Sequence, residues 1–389
     1  MTAAPVRRRP RDRRRQILAA AAALFWSEGY HRVGMADVAT VVGIAPSALY
    51  RHVRGKQELL LAVLDEHMAR IEALAAAPGG DLIGGLAALT LERREFGLLW
   101  EREAGHLPAA ERRAIRHRLR GVADVVATAG TEPDPATAEL RAWAALSVLD
   151  SPSHHRWTLE GDRFGELLAG AARAVLTTPL PPAAGPPGTA GHAGGLVPAS
   201  RREALLAAAT RLFGEHGYPA VGLGDIGAAA GIAGPSVYRH FATKTDLLLA
   251  VLHRGNEALW LGLHHALARA GDADDALARL AADYTAFATG NPEIVSVLVS
   301  QTIHLPGPER DGLRRSQRAY LAEWVALLTT ARPSLPAPEA RVLVHAALAL
   351  INSLSRVHHL ALRPGARDRT AALARCALRA GEQKSVPQH

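Results

Sequence analysis

The sequence predicts an all-α protein built from two tandem copies of one helical module. Apolar residues make up 48% of the 389 residues and aromatic residues only 5%, and no alternating Val/Ile/Thr pattern predicts strands. A long segment near the N-terminus also returns later in the chain. The apolar fraction is large enough to fill helical cores, so we expect folded domains rather than a disordered chain.

Positive charge is concentrated near the N-terminus. The net charge is +8, and residues 7–15 hold seven Arg and one Asp, a local charge of +6 (7 − 1). A basic arm on a nearly balanced body suggests contact with a polyanion; a solvated tail or contact with an anionic surface are the alternatives. We assign residues 1–15 to this arm, in which the candidate nucleic-acid contacts are Arg7, Arg8, Arg9 and Arg11.

The sequence also argues against several classes of protein. The single cysteine, Cys376, excludes an intramolecular disulfide and a cysteine-clustered metal site, and fits a cytoplasmic protein. No uncharged apolar run reaches the roughly 18 residues of a membrane span, and we expect no signal peptide. Because no motif of a nucleophile elbow, phosphate-binding loop or zinc hydrolase occurs, we expect no enzyme activity, no cofactor and no metal.

Residues 17–64 recur without a gap at residues 205–252, 188 positions later (238 − 50). Half of the aligned positions are identical, among them Tyr50-Arg51-His52 with Tyr238-Arg239-His240. Further along, His106-Leu-Pro returns more faintly as His304-Leu-Pro. The whole module is therefore duplicated, and the Pro/Gly/Ala-rich residues 177–200 form the linker between the copies.

Each copy encodes two short helices separated by a turn that contains glycine, which is the spacing of a helix-turn-helix. We expect these helices at 35–42 and 46–53 around Gly43, and at 223–230 and 234–241 around Gly231. A preceding helix presents Ile17, Ala21, Leu24 and Phe25 on one face, and a fourth helix begins near Lys56 and Lys244.

The stretch Gly43-Ile44-Ala45, then Tyr50-Arg51-His52, Lys56 and Leu59-Leu60, resembles the N-terminal domain of the TetR family of bacterial repressors in both copies. The domain organisation is similar to that of the uncommon single-chain, double-TetR regulators of actinobacteria. One of these represses a mycobacterial mammalian-cell-entry operon. The resemblance implies a transcription regulator that binds a double-stranded DNA operator and is released by a small apolar effector. The family's usual threonine before the second helix is Gly34 and Gly222 here, which removes a capping hydroxyl.

The resemblance also assigns roles to the matched residues. Phosphates are expected to be held by Tyr50, His52 and Lys56, and by Tyr238, His240 and Lys244. Bases are expected to face Ser47, Ala48 and Arg51, and Pro235, Ser236 and Arg239. Since the second copy has only Arg201-Arg202 in place of the basic arm, we expect the first copy to bind DNA more tightly.

Lysine is rare in this chain, with three lysines against 42 arginines (45 − 3). Two of the three occupy the matching positions Lys56 and Lys244. A compact ammonium group beside a helix N-terminus suits a phosphate contact, and inheritance from the duplication without further meaning is the alternative.

The repeat and the linker predict seven parts of the chain. After the arm come a first helix-turn-helix domain (16–64), a first helical ligand and dimerisation domain (65–176), the linker (177–200), a second helix-turn-helix domain (201–252), a second helical domain (253–380) and a tail (381–389). In the resembling family the last two helices of each subunit form a four-helix interface. Here they are expected at 135–156 with 162–176 and at 338–360 with 366–380, as an intrachain pseudo-dimer, and a homodimer of such chains is the alternative.

The helical domains offer a set of candidate pocket residues. They are Phe96, Trp100, His106 and Trp143 in the first copy, and Tyr284, Phe287, His304, Tyr320 and Trp324 in the second. The alternative is that most of them are ordinary core residues. So few polar groups favour an apolar ligand such as a fatty acyl derivative or a sterol. Two other functions remain open: an architectural DNA-binding protein without a ligand, and a protein in which one module is only a dimerisation scaffold.

Overall fold

The computed structural model describes residues 10–184 and 198–381, without the side chains of residues 10–12. Within these ranges every regular element is an α-helix or a short 3-10 turn, which confirms the predicted all-α class. None of the helices described is both long and apolar enough to cross a membrane. Arg7, Arg8 and Arg9, most of the linker and most of the tail lie outside the described residues.

The first copy runs from α1 to α9. Its helices are α1 (Pro10–Glu28), α2 (Met35–Val42), α3 (Pro46–Leu49), α4 (Lys56–Ala75), α5 (Leu82–Glu92), α6 (Phe96–Glu103), α7 (Ala109–Thr128), α8 (Pro135–Asp150) and α9 (Arg163–Thr177). Short 3-10 turns cover Tyr30–Arg32, Ala104–His106 and Ser151–His154.

The second copy runs from α10 to α19 and has one short helix more, α18. Its helices are α10 (Arg201–His216), α11 (Leu223–Ala229), α12 (Gly234–Val237), α13 (Lys244–Arg269), α14 (Ala273–Gly290), α15 (Pro292–Ser300), α16 (Gly307–Ala331), α17 (Ala337–Arg356), α18 (His358–Ala361) and α19 (Ala366–Leu378). Its 3-10 turns are Tyr218–Ala220 and Thr302–His304.

The chain divides into two compact units that do not coincide with the two copies. The first unit comprises residues 1–78 and 92–122 and holds the first helix-turn-helix. The second comprises residues 79–91 and 123–389, so it contains α8, α9 and nearly all of α5 of the first copy together with the second copy.

The first helix begins earlier than the sequence pattern suggests. It starts at Pro10, a residue that suits the first turn of a helix because it needs no amide donor there. Residues 10–15 of the predicted arm, Arg11 among them, are therefore helical. From this turn the Arg13 Nη1 donates a hydrogen bond of 3.4 Å to the carbonyl of Val42, at the end of α2.

Both helix-turn-helix motifs fold for local reasons. Gly43 and Gly231 adopt φ values of 70° and 66°, a left-handed conformation that glycine takes without a steric penalty. Helix α2 has the predicted bounds, whereas α3 ends at Leu49, short of the predicted residue 53. At Gly34 the backbone N–H donates to the Asp37 Oδ2 at 2.7 Å, so an aspartate helps to cap the helix that lacks the threonine hydroxyl.

The cores of the two helix-turn-helix domains match the predicted apolar face. Ile17, Ala21 and Phe25 of α1 are fully buried, and Leu24 is half-buried. Residues 46–52 and 234–240, which we call the recognition segments, are anchored in these cores by Leu49 in the first copy and by Val237 in the second. Burying one such aliphatic side chain contributes about 1.5–3 kcal/mol, which fixes the exposed residues beside it.

In the second unit, four long helices pack together: α8, α9, α17 and α19. Their contact surfaces are rich in buried alanine, for example Ala142 and Ala145 on α8 and Ala346 and Ala347 on α17, so the backbones approach closely. An ion pair of 2.6 Å joins the Arg163 Nη2 at the start of α9 to the Glu339 Oε2 on α17.

Candidate nucleic-acid interface

The first recognition segment presents its polar residues to solvent while one apolar residue holds it in place. Leu49 is buried, and Ser47, Tyr50 and Arg51 around it are exposed. The Tyr50 ring is 53% exposed, which is unusual for an aromatic side chain and leaves it available for an external partner. Ala48 and His52 are half-buried beside this face.

The second recognition segment has the same layout with one added contact. Val237 is buried, whereas Pro235, Tyr238 (61% exposed), Arg239 and His240 face solvent. The Arg239 Nη2 donates a hydrogen bond of 2.8 Å to the Ser236 Oγ. The first copy has Ala48 at the position of Ser236 and cannot form this bond.

The two lysines assigned to phosphate contacts make internal contacts in the structure. The Lys56 Nζ donates to the carbonyl oxygen of Tyr30 at 2.8 Å and lies 4.3 Å from the centroid of the Tyr30 ring. The Lys244 Nζ donates to the carbonyls of Tyr218 at 2.9 Å and Val221 at 2.8 Å, and lies 4.2 Å from the Tyr218 ring. Burial lowers the pKa of both ammonium groups.

The two histidines proposed for the ligand pockets lie against the same tyrosines. The His106 imidazole stacks on the Tyr30 ring with a centroid distance of 4.4 Å and an angle of 13°. The His304 imidazole stacks on Tyr218 at 5.3 Å and 23°. These contacts join each helix-turn-helix to the corner before the next long helix.

One contact of each tyrosine was missed from the sequence. The backbone N–H of Tyr30 donates to the Glu103 Oε1 at 3.2 Å, and that of Tyr218 donates to the Gln301 Oε1 at 3.0 Å. Glu103 and Gln301 are equivalent, since each lies three residues before the histidine of the repeated His-Leu-Pro. Aligning the repeat as far as these residues would have paired them.

The residue that accepts the tyrosine N–H is charged in the first copy (Glu103) and neutral in the second (Gln301). Glu103 is buried, forms an ion pair with Arg102 and lies 3.5 Å from the His106 Nε2. Burial acts to raise the pKa of Glu103, but the bonds from His106 and Arg102 outweigh it and the pKa lies below its usual value. In the second copy the Gln301 Nε2 donates instead to the Ser300 Oγ at 2.6 Å.

The pocket candidates of the first copy belong to two different compact units. Phe96 and Trp100 belong to the first unit and Trp143 to the second. The Phe96 ring stacks on the imidazole of His67 with a centroid distance of 4.2 Å. All three candidates are half-buried.

The pocket candidates of the second copy do form a cluster. The Tyr284, Tyr320 and Trp324 rings lie with centroids 6.1–6.5 Å apart, and Phe287 lies 6.5 Å from Tyr284. The Tyr284 hydroxyl donates to the Asn352 Oδ1 at 2.9 Å. Trp324 is fully buried. Burial raises the pKa of Tyr284 to about 12.

The described residues contain no group of three His, Cys, Asp or Glu side chains that could hold a metal ion.

Two exposed recognition segments on equivalent scaffolds define a tandem helix-turn-helix protein. The model of the family "Bacterial regulatory proteins, tetR family" matches residues 17–63 and again residues 205–251. The chain therefore carries the N-terminal domain of the TetR family twice.

Similar proteins include activators and repressors. The chain is 43% identical over 67 residues to the HTH-type transcriptional activator FasR of Mycolicibacterium smegmatis, which is 17% of this chain and 31% of that protein. It is 35% identical over 79 residues to the transcriptional repressor LfrR of the same organism, which is 20% of this chain and 41% of that protein. The chain thus spans less than half the length of these curated relatives.

Two solved structures are also similar in part. The TetR-family regulator PfmR of Thermus thermophilus gives a TM-score of 0.40 at 21% identity, over 46% of this chain and 99% of that chain. The ketosteroid transcriptional regulator KstR2 of Mycobacterium tuberculosis gives 0.41 at 21% identity, over 46% of this chain and 94% of that chain.

Proposed function

We propose that this protein is a transcription regulator that binds two operator half-sites with the two helix-turn-helix motifs of one chain. The supporting observation is the repeated exposure of Tyr50-Arg51 and Tyr238-Arg239 beside a buried anchor residue. Arginine pairs with guanine in the major groove, and tyrosine contacts the flanking phosphates. Retention of this surface in both copies favours two DNA-binding modules over one module and a scaffold.

The two modules differ in charge, so we propose that the first binds DNA more tightly. His31-Arg32 of the first copy aligns with Pro219-Ala220 of the second, and Arg54 aligns with Ala242. Attraction to phosphates dominates DNA affinity and grows with the number of cationic contacts. The half-sites need not be alike, because the base-facing residues also differ.

The experiment that tests this function is DNA binding to the region upstream of the protein's own gene, with Tyr50→Ala and Tyr238→Ala. We expect each substitution to weaken binding by about tenfold or more, which corresponds to about 1.4 kcal/mol. Leu261→Ala is the matched control, because Leu261 is equally exposed (56%) and lies outside both motifs. If only one tyrosine matters, the other copy is a scaffold; if neither matters, the proposed function is wrong.

We further propose that the regulator is a repressor and that a small apolar effector acts through the second helical domain. Tyr320 and Trp324 align with Val122 and Val126, 198 positions earlier as for His304 and His106 (304 − 106). Only the second copy therefore places a buried indole N–H and two tyrosine hydroxyls in its helical core. A few polar groups in an apolar surrounding are typical of a small-molecule site.

Release of DNA by an added apolar compound tests the effector. Oleoyl-coenzyme A and cholesterol are suitable probes, and we expect one of them to dissociate the wild-type complex and change its tryptophan fluorescence. Trp324→Val, which copies the first module, should bind DNA without this response, while Trp143→Val should respond normally. If no apolar probe releases DNA, an architectural role without a ligand is favoured.

The packing of α8 and α9 with α17 and α19 supports an intrachain pseudo-dimer. Besides Arg163 and Glu339, a cluster links the copies at the other end, where Glu139 receives hydrogen bonds from His359 at 2.7 Å and Arg363 at 2.5 Å. The likeness to single-chain double regulators belongs to the same proposal. A homodimer of whole chains is the alternative assembly.

A further inference from the structure

In each copy, the 3-10 turn before the helix-turn-helix contacts the first residue of the long helix that follows it. Lys56 is the first residue of α4 and reaches back to Tyr30; Lys244 is the first residue of α13 and reaches back to Tyr218. Both pairs are 26 residues apart in sequence. The loop between the two ends contains the whole recognition segment.

We infer that Lys56 and Lys244 are positioning residues that clasp the helix-turn-helix, rather than ligands of DNA phosphates. The inference rests on the proposed DNA-binding function and adds to it a role for these two side chains. An ammonium group has three N–H donors, and Lys244 uses two of them on the carbonyls of Tyr218 and Val221. The tyrosine ring covers a further side of each ammonium group, at 4.3 and 4.2 Å.

In both copies the clasped tyrosine is held through its carbonyl, its backbone N–H and its ring. Its carbonyl accepts from the lysine, its backbone N–H donates to Glu103 or Gln301, and its ring contacts both the ammonium group and a histidine imidazole. Because the recognition segment has only one helical turn of its own, its orientation depends on these two fixed ends. The clasp therefore sets the position of Tyr50 and Tyr238.

This geometry explains why lysine persists in a chain that otherwise uses arginine. A compact ammonium group fits between a carbonyl oxygen and the face of a ring, whereas a planar guanidinium is wider and directs its donors in a fixed fork. At a phosphate, by contrast, arginine is as good a ligand as lysine or better. Retention of both lysines among 42 arginines (45 − 3) thus favours an internal site over a phosphate contact.

The salt dependence of DNA binding separates the two roles. Each phosphate contact steepens the plot of log K against log salt concentration by about 0.9. With a fluorescein-labelled duplex of random sequence and the full chain, we expect Lys56→Met and Lys244→Met to weaken binding about tenfold while leaving the slope unchanged. Arg54→Met, which removes an exposed charge just after the same motif, should make the slope shallower by about 0.9 and serves as the matched control.

The arginine variants give a second, independent comparison. Lys56→Arg and Lys244→Arg keep the charge, so a phosphate role predicts wild-type binding, whereas the clasp predicts weak binding and a lower Tm. Either a shallower slope in the methionine variants or wild-type behaviour of the arginine variants would overturn the inference. If the methionine variants do not fold, Tyr30→Leu decides, because it keeps every charge and should still weaken binding at unchanged slope.

Failure of the proposed function gives a different result. If the wild-type protein does not bind the duplex even at low salt, DNA binding is wrong and the clasp is judged by thermal unfolding alone. In that case Lys56→Arg should still lower the Tm, and an unchanged Tm would overturn the clasp.

Discussion

The imidazoles of His155 and His345 lie with ring centroids 4.3 Å apart, and the first histidine comes from the first copy while the second lies on α17 of the second copy. The Nε2 of His345 is buried and has no hydrogen-bond partner. Burial, together with the charges of His154 and Arg341, lowers the pKa of His345 to about 4. Protonation of this ring would therefore bury a positive charge between the two copies without a hydrogen-bond acceptor at Nε2 to stabilise it.

We expect His345 to make the protein sensitive to acid. Since its pKa is about 4 in the folded protein and 6.5 when exposed, the unfolded chain binds more protons between these values. Above pH 6.5 the neutral ring does not change the free energy of unfolding. Below pH 6.5 this free energy falls by up to about 1.4 kcal/mol for each pH unit. Urea unfolding at pH 7 and pH 5 should show a smaller loss for His345→Leu than for the wild-type protein.

Exposed and buried histidines provide the comparison for this experiment. His265→Leu, at an exposed position on α13, should lose as much stability at pH 5 as the wild type. His67 is buried in the first unit with a pKa of about 3, so His67→Leu should reduce the loss as His345→Leu does. Equal acid sensitivity in all variants would contradict the prediction.

The ion pair between Glu103 and Arg102 leads to a second prediction. Glu103→Gln reproduces the residue of the second copy but leaves the buried Arg102 without its counter-charge. We expect a loss of about 1–3 kcal/mol at pH 7, measured by urea unfolding. Because the pKa of Glu103 lies below its usual value, its stabilisation is present above about pH 4.5 and is lost as the pH falls further.

The pH dependence separates this effect from simple repacking. The wild-type protein should therefore lose stability more steeply than Glu103→Gln below about pH 4.5, and the two should converge. Gln301→Ala breaks the equivalent neutral bond and should give a deficit that does not change in this range. A constant difference between Glu103→Gln and the wild type at every pH would show that the charge of Glu103 is unimportant.

Local features of the motifs could be predicted from the sequence, because short-range rules determine them. Gly43 marks a turn that needs a positive φ, and apolar spacing places Ile17 and Phe25 on one buried face. Helix α2 begins and ends where the pattern predicts it. The recognition helix is shorter than predicted because the chain tightens after Leu49 into a turn, in which the His52 N–H donates to the carbonyl of Leu49 at 2.9 Å.

Long-range contacts could not be predicted in the same way. The sequence shows that Lys56 and His106 recur, but recurrence does not say what they touch. Tyr30 lies 73 residues from Glu103 and 26 from Lys56, and only the folded chain brings all of them together. The assignment of the lysines to phosphates stays a prediction, and the sequence did not show that backbone carbonyls of Tyr30 and Tyr218 are competing acceptors.

The packing of α8 and α9 against α17 and α19 predicts that the copies remain together after the chain is cut. A protease site inserted within residues 185–197 breaks the covalent link and leaves the described helices intact. We expect the fragments to elute together in size-exclusion chromatography, because the contact between them is a buried apolar surface. Separation of the fragments at micromolar concentration would contradict the intrachain pseudo-dimer.

The exposed ion pairs should matter little to this association. Arg163 is half exposed, so the pair with Glu339 is worth about 0.2–1 kcal/mol. Glu339→Gln is therefore expected to leave the cut fragments associated. If this substitution separates them, charge rather than apolar packing holds the copies together.

The N-terminal arginines lead to the last prediction, which concerns the unequal strength of the two modules. Because α1 begins at Pro10 and Arg13 contacts the end of α2, the arm is best removed by deleting residues 1–9. This deletion takes away Arg7, Arg8 and Arg9 and leaves the helix-turn-helix complete. Each charge that meets a phosphate contributes about 0.9 to the salt slope, so we expect the slope to become shallower by up to about 2.7 and affinity to fall strongly.

The matched variant in the second copy is Arg201→Ala with Arg202→Ala. The Arg202 guanidinium lies 4.9 Å from the centre of the Phe241 ring, and its Nη1 is 3.5 Å from the Glu203 carboxylate, so its charge is already partly compensated. We expect a change in slope smaller than that of the arm deletion, measured on the same DNA. Equal effects of the two variants would mean that both modules bind with the same strength and that the charge difference between them has no consequence for DNA binding.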